Sequence, residues 1–128
     1  MAALTQFGLA RIAQIHVTVA DVDRAVAFYR DTLGVRLLFQ VPNMAFFDCA
    51  GIRLMLGVAE RESDHYASVL YYHVPNIHTA HETLVARGVT FEGPPHKIAD
   101  LGDHELWMAF FRDADANVLA ISSEVAKP

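Results

Sequence analysis

Three histidines fall in strand-like segments, and they are the residues best equipped to build a reactive site. His16 stands in Gln14-Ile15-His16-Val17-Thr18, His73 in Leu70-Tyr71-Tyr72-His73, and His104 opens His104-Glu105-Leu106-Trp107. A neutral imidazole ligates divalent metals and moves protons near neutral pH, so His16 and His73 are candidate proton carriers or metal ligands. The plain alternative, that both are hydrogen-bonded pocket residues, stays open. His104 and Glu105 are strand neighbours, point to opposite faces and cannot chelate together. His78, His81 and Glu82 have helical spacing, which suits a metal grip or, more simply, a solvated helix face. His65 and His96 sit in loop-like sequence and carry no signal. Cys49 is the only cysteine; a reactive thiol there needs a cationic neighbour that the sequence does not place. No Gly-rich phosphate loop follows a strand, and no Ser or Cys has a His partner at motif spacing.

The elements that must position these residues come in two copies. Met44-Ala45-Phe46-Phe47-Asp48 returns as Met108-Ala109-Phe110-Phe111-Arg112, 64 positions on (108 − 44). Each copy leads through a turn into a second apolar segment, a strand-turn-strand unit used twice. Upstream, Ile15, Val17 and Val19 alternate with Gln14, His16 and Thr18, which predicts a strand. Asp21 is a natural N-cap, Val22, Ala25, Val26, Tyr29 and Leu33 recur at helical spacing, and Gly34 stops the helix. Strands are expected at 35–41, 44–48 and 52–58, with turns at Pro42-Asn43 and Ala50-Gly51. In the second half a strand spans 69–74, and Asn76 caps a helix whose Ile77, Ala80 and Leu84 match Val22, Ala25 and Tyr29 at an offset of 55 (77 − 22). Gly88 stops that helix. A short strand is expected near 89–91, then a long loop from Gly93-Pro94-Pro95 to about Asp103, then strands at about 105–112 and 117–123. Each half therefore reads β-α-β-β-β.

At 128 residues the chain is expected to form a single domain, 1–128, with module one at about 12–58, a polar linker at 59–67 and module two at about 68–123. Residues 1–10 have no period and are expected to be a loose arm. The hydrophobic fraction is 53%, so much of the chain belongs inside or at an interface. No apolar run reaches the roughly 18 residues of a membrane span, and no signal segment opens the sequence. With one cysteine, no intrachain disulfide forms, which fits the cytoplasm as the expected location. A net charge of −5 without a basic cluster argues against nucleic acid.

Two modules of this kind, with Val19-Ala20-Asp21-Val22-Asp23-Arg24-Ala25-Val26-Ala27-Phe28-Tyr29, Leu33-Gly34 and Phe111-Arg112-Asp113-Ala114-Asp115-Ala116-Asn117, resemble the vicinal oxygen chelate superfamily. That superfamily includes glyoxalases, bleomycin resistance proteins and extradiol dioxygenases, and the similarity covers about residues 12–123. It implies an α+β fold of two β-α-β-β-β modules forming a cupped mixed sheet with helices outside. The family's Asp-Pro-Asp-Gly-Asn turn has Ala114 and Ala116 for its Pro and Gly, so this corner must find backbone angles that alanine tolerates.

The resemblance also implies that one face of every strand meets a helix while the other lines a shared cup. By the period of two, the cup face takes Gln14, His16, Met44, Phe46, Arg53, Met55, Tyr71, His73, His104, Met108 and Phe110, and the helix side takes Ile15, Val17, Val19, Leu54, Leu56, Tyr72, Phe111 and Ile121. Active family members place metal ligands on four strands, at positions that fall here on Gln14, Met55, Val69 and Ala120. Only Gln14 suits a divalent metal, so the usual chelate is not expected. A relocated site would draw on Gln14, His16 and His73.

The expected cup combines apolar, adaptable walls with a few polar handles, the usual balance of a small-molecule pocket. Its plain alternative, a filled core, stays open. The expected function is binding of a small apolar or aromatic molecule, with His16 and His73 as the catalytic candidates and the rest of that face as ligand-binding residues. The alternative is a divalent-metal-dependent lyase, isomerase or dioxygenase with a relocated His-based site, so enzyme activity is left open. The expected partners are the small-molecule ligand and a second copy of the chain as a homodimer, without nucleic acid or membrane.

Overall fold

A computed structural model describes residues 10, 12–59 and 68–127. Residues 1–9 of the expected arm and 60–67 of the expected linker lie outside the described residues. Module one contains β1 (Gln14–Thr18), α1 (Val22–Val26), β2 (Arg36–Val41), β3 (Met44–Cys49) and β4 (Ile52–Gly57). Module two contains β5 (Leu70–His73), α2 (Ile77–Ala86), β6 (His96–Asp100), β7 (His104–Arg112) and β8 (Val118–Ala126). Each module forms its own four-stranded mixed sheet, in the orders β1-β4-β3-β2 and β5-β8-β7-β6. The parallel pairs are β1 with β4 and β5 with β8, and the other neighbours run antiparallel.

Local chemistry sets these boundaries. Asp21 Oδ1 accepts from the Arg24 amide at 3.1 Å, and Asn76 Oδ1 accepts from the His78 and Thr79 amides, each at 3.1 Å. Both side chains satisfy amides that the first helical turn leaves unpaired. The helix begun by α1 then widens into a π-helical segment, Ala27–Thr32, and the Leu33 amide donates to Phe28 carbonyl at 3.0 Å. In the hairpin of β3 and β4, Ala50 and Gly51 both have positive φ, 51° and 94°. That geometry matches the right-handed strand twist of a two-residue loop.

The alternation expected from the sequence is realised. Val17, Ala45, Phe47, Leu54 and Leu56 from one sheet and Ala109, Phe111, Leu119 and Ile121 from the other are all buried in one core. The helices add Val22, Ala25, Tyr29, Ile77 and Leu84 to it. A polar corner locks the modules together. Asp113 Oδ1 accepts from the amides of Asp115 and Asn117 at 2.8 and 2.9 Å, and Asn117 Nδ2 donates to Thr18 carbonyl at 3.0 Å. Asp115 Oδ1 accepts from the Ala20 amide at 2.8 Å. Ala116, where the family turn has glycine, is held at φ 65°.

One part of the chain departs from expectation. The strand expected at 89–91 is reduced to a single bridge between Phe91 and Phe111, and the expected loop contains a full strand, β6. Pro94 and Pro95 cannot donate to a ladder, so pairing begins only after them, at His96. A bulge between Lys97 and Ala99 then breaks the alternation, as the bulge between Leu37 and Phe39 does in β2.

Candidate functional site

The face of each sheet opposite the helices carries the residues singled out by the sequence. In module one the ladder sets them in transverse rows. Gln14 pairs with Arg53 and Arg53 with Asp48, His16 pairs with Met55 and Met55 with Phe46, and Thr18 pairs with Gly57 and Gly57 with Met44. Phe46 stacks on Phe39 with ring centroids 4.6 Å apart, and the Arg53 guanidinium lies over its ring at 5.8 Å. The ring is therefore held between an aromatic and a cationic neighbour. Gln14 Nε2 lies 3.7 Å from Met55 Sδ. Gly57 makes room for His16: a Cβ there would sit 3.0 Å from His16 Nε2.

Module two repeats the arrangement with different residues. Tyr71 pairs with Ala120 and Ala120 with Phe110, while His73 pairs with Ser122, Ser122 with Met108 and Met108 with His96. Tyr71 and Phe110 meet edge-on at 6.3 Å and leave Ala120, between them on the ladder, without solvent contact. Tyr71 itself is 55% exposed and Phe39 48%. Large rings thus stand uncovered on both faces. Sequence reasoning missed Phe39 and His96 as members of these faces, because each lies on a bulged strand where alternation fails. His96 now sits with its ring 6.5 Å from Phe110.

His104 ends the second face in a strongly acidic setting. Its Nδ1 lies 2.6 Å from Asp103 Oδ1 and its Nε2 3.3 Å from Glu124 Oε1. The Asp103 carboxylate, followed by Glu124, holds the imidazole protonated to higher pH than usual. With a carboxylate facing each ring nitrogen, His104 presents neither nitrogen to a metal.

The four positions that correspond to metal ligands in the resembling family do not fit a metal here. Gln14 and Met55 touch, but a thioether is a poor partner for a hard or borderline cation, and Val69 and Ala120 have no donor side-chain atom. His16 and His73 stand on different sheets, and no three His, Cys, Asp or Glu side chains group together among the described residues. His78 and His81 turn to aromatic rings instead, 5.6 Å from Trp107 and 4.4 Å from Phe91. A solvated face is therefore only part of their setting.

Residues 11–121 match the family model described as the Glyoxalase/Bleomycin resistance protein/Dioxygenase superfamily. No curated protein matches the sequence. Among solved structures, a virulence protein from Salmonella typhimurium is similar with TM-score 0.76 and 20% identity, over 93% of this chain and 100% of that one. A lactoylglutathione lyase from Agrobacterium tumefaciens aligns with TM-score 0.75 and 18% identity, over 91% and 95%. A member of the same superfamily from Sphaerobacter thermophilus aligns with TM-score 0.73 and 26% identity, over 91% and 98%.

Proposed function

The chain belongs to the glyoxalase/bleomycin resistance protein/dioxygenase superfamily, and on that footing we propose that it binds a small apolar or aromatic molecule against the open faces of its sheets. The observation that carries this reading is the uncovered aromatic surface: Phe46 between Phe39 and Arg53, and Tyr71 against Phe110. A flat aromatic ligand gains most from such a wall, and Gln14, His16, His73 and His104 supply the few polar contacts that orient it. Side chains that cannot chelate at Met55, Val69 and Ala120 favour binding without the family's usual metal.

The same uncovered rings support a homodimer. A second copy laid over the open faces would remove Tyr71 and Phe39 from water and enclose the ligand between two chains. The net charge of −5 lacks the basic cluster that nucleic acid requires, and no helix among the described residues is long and apolar enough to cross a membrane.

Isothermal titration with 2-naphthol, bleomycin and S-lactoylglutathione, each with EDTA and with added Zn²⁺, tests the reading. Saturable heat with 2-naphthol that EDTA leaves unchanged, and that Phe46→Ala abolishes, is the expected result. Heat that appears only with Zn²⁺ and is lost in His16→Ala would move the reading to the metal-dependent alternative. No heat with any of the three would overturn both.

A further inference from the structure

The open faces of the two modules differ in charge, and the internal repeat shows where. Phe46 pairs with Met55 as Phe110 pairs with Ala120, which puts β4 and β8 in register at an offset of 65 (120 − 55). Arg53 therefore stands where module two has Val118 (118 − 53 = 65), and Gln14 stands where it has Val69 (69 − 14 = 55). Gln14 and Arg53 are direct partners on the ladder, so their side chains share the open face. In module two the cation of the matching row is Arg112, opposite Val118. It is already engaged, by Glu92 Oε1 at 2.8 Å and Ala116 carbonyl at 2.9 Å.

Arg53 is engaged by no such acceptor. Arg24, Arg30, Lys97, Arg112 and Lys127 each meet a carboxylate. Arg53 forms neither an ion pair nor a side-chain hydrogen bond among the described residues, although Asp48 is its ladder partner on β3. Asp48 Oδ1 accepts instead from the Gly51 amide at 3.1 Å. On its other side Asp48 pairs with Arg36, which also forms no ion pair among the described residues. The row thus holds two guanidinium groups and one carboxylate. The Arg53 guanidinium lies 5.8 Å from the centre of the Phe46 ring, so a cation with free donors borders the aromatic wall.

We infer that the ligand of module one's open face is an aromatic carboxylate, with its ring on Phe39 and Phe46 and its carboxylate on Arg53. This assignment of ligand class rests on the reading of the open faces as a ligand surface. A planar guanidinium presents paired N–H donors that match the two oxygens of a carboxylate, and Gln14 adds an amide beside it. An aromatic ring covering the wall also removes water from one side of the ion pair and strengthens it. The net charge of −5 repels anions at long range, so a preference for the anionic ligand can arise only by contact.

The test is isothermal titration of the whole chain, at neutral pH and low ionic strength, with 2-naphthoate, its neutral isostere 2-naphthamide, and 2-naphthol. The carboxylate is expected to bind roughly ten-fold tighter than the amide, the worth of a charged hydrogen bond after solvent screening. Arg53→Gln abolishes that ratio, and Arg53→Lys, which keeps the charge without the planar fork, retains a smaller one. The ratio is the quantity read, because losing the cation over Phe46 weakens all three compounds alike. Equal binding of carboxylate and amide by the unaltered chain would overturn the inference, and 2-naphthol binding would leave the broader reading standing. A carboxylate preference that survives in Arg53→Gln would also overturn it. Binding of none of the three would overturn both.

Discussion

Tyr29 Oη donates to Asp113 Oδ2 at 2.8 Å, joining the helix of module one to the last turn of module two across 84 positions of sequence. Tyr29 has no solvent exposure, and Asp113 is 8% exposed. Burial and the neighbouring Asp113 carboxylate both push the phenol far above its ordinary range, so it remains a donor at every working pH. A hydrogen bond to a charged acceptor of this kind contributes about 1.5–3 kcal/mol. Tyr29→Phe is therefore expected to lower unfolding free energy by about that amount, read from urea midpoints at constant slope. Asp113→Ala should cost more, because it also strips the acceptor from the Asp115 and Asn117 amides. A loss below about 0.5 kcal/mol in Tyr29→Phe would show that this bond adds little to the packing and the other hydrogen bonds that join the modules.

The corner built on Asp113 contains a strained alanine. Ala116 sits at φ 65°, where the Cβ of an L-residue crowds the backbone at a cost of about 1–2 kcal/mol. Glycine removes that crowding but adds about 0.5–1 kcal/mol of chain entropy to the unfolded state. Ala116→Gly is thus expected to raise stability by up to about 1 kcal/mol, seen as a higher thermal midpoint with unchanged ligand binding. A lower midpoint would mean that the Arg112 Nη1 bond to Ala116 carbonyl, at 2.9 Å, already sets the turn and that only the entropy term is felt.

His104 sets a pH dependence whose sign follows from its partners. Asp103 and then Glu124 raise its pKa above the unfolded value. Its contribution is fully present below the unfolded histidine pKa and is lost as pH rises through the raised folded value. Asp103 runs the other way. His104 lowers its pKa, so its contribution holds above the unfolded carboxylate value and fades as pH falls through the lowered one. The pair supports the fold between those limits. NMR titration of the His104 ring should give a pKa above that of the unfolded chain. Asp103→Asn is expected to bring it down more than Glu124→Gln does, following the order of the two causes. Equal, negligible changes in both variants would show that the groups are fully screened by solvent, as surface pairs often are.

Much of this architecture can be read from alternation. A strand's period of two sorts Ala45 and Phe47 from Met44 and Phe46, and Leu54 and Leu56 from Arg53 and Met55, and the family resemblance then says which set meets the helices. Signal fails where geometry breaks the period. β6 hides behind Pro94-Pro95 and its own bulge, and Phe39 and His96 reach the open faces only through such irregularities. The π-helical segment around Tyr29 has no sequence marker, and the same residue types are compatible with a regular helix. Leu84 standing where Tyr29 stands is visible from the repeat. That a cavity opens beside Leu84 between the modules depends on how two sheets pack and is written in no single segment.

Gly57 connects fold and face most directly. It is buried beneath His16 and Met55, and a Cβ there would lie 3.0 Å from His16 Nε2 and 3.4 Å from Met55 Cε. Both are the far ends of side chains that can move, and Gly57 is not among the residues with positive φ. Gly57→Ala should therefore be accommodated by the fold, within about 1 kcal/mol, while forcing the imidazole and the thioether outward by a few tenths of an ångström or into other rotamers. If His16 orients a ligand on this face, that displacement weakens binding several-fold with little change in thermal midpoint. The check is a paired measurement of 2-naphthol affinity and unfolding midpoint. Unchanged affinity alongside shifted His16 ring resonances would remove His16 from the binding face and leave the aromatic wall of Phe46 and Phe39 as the part that matters.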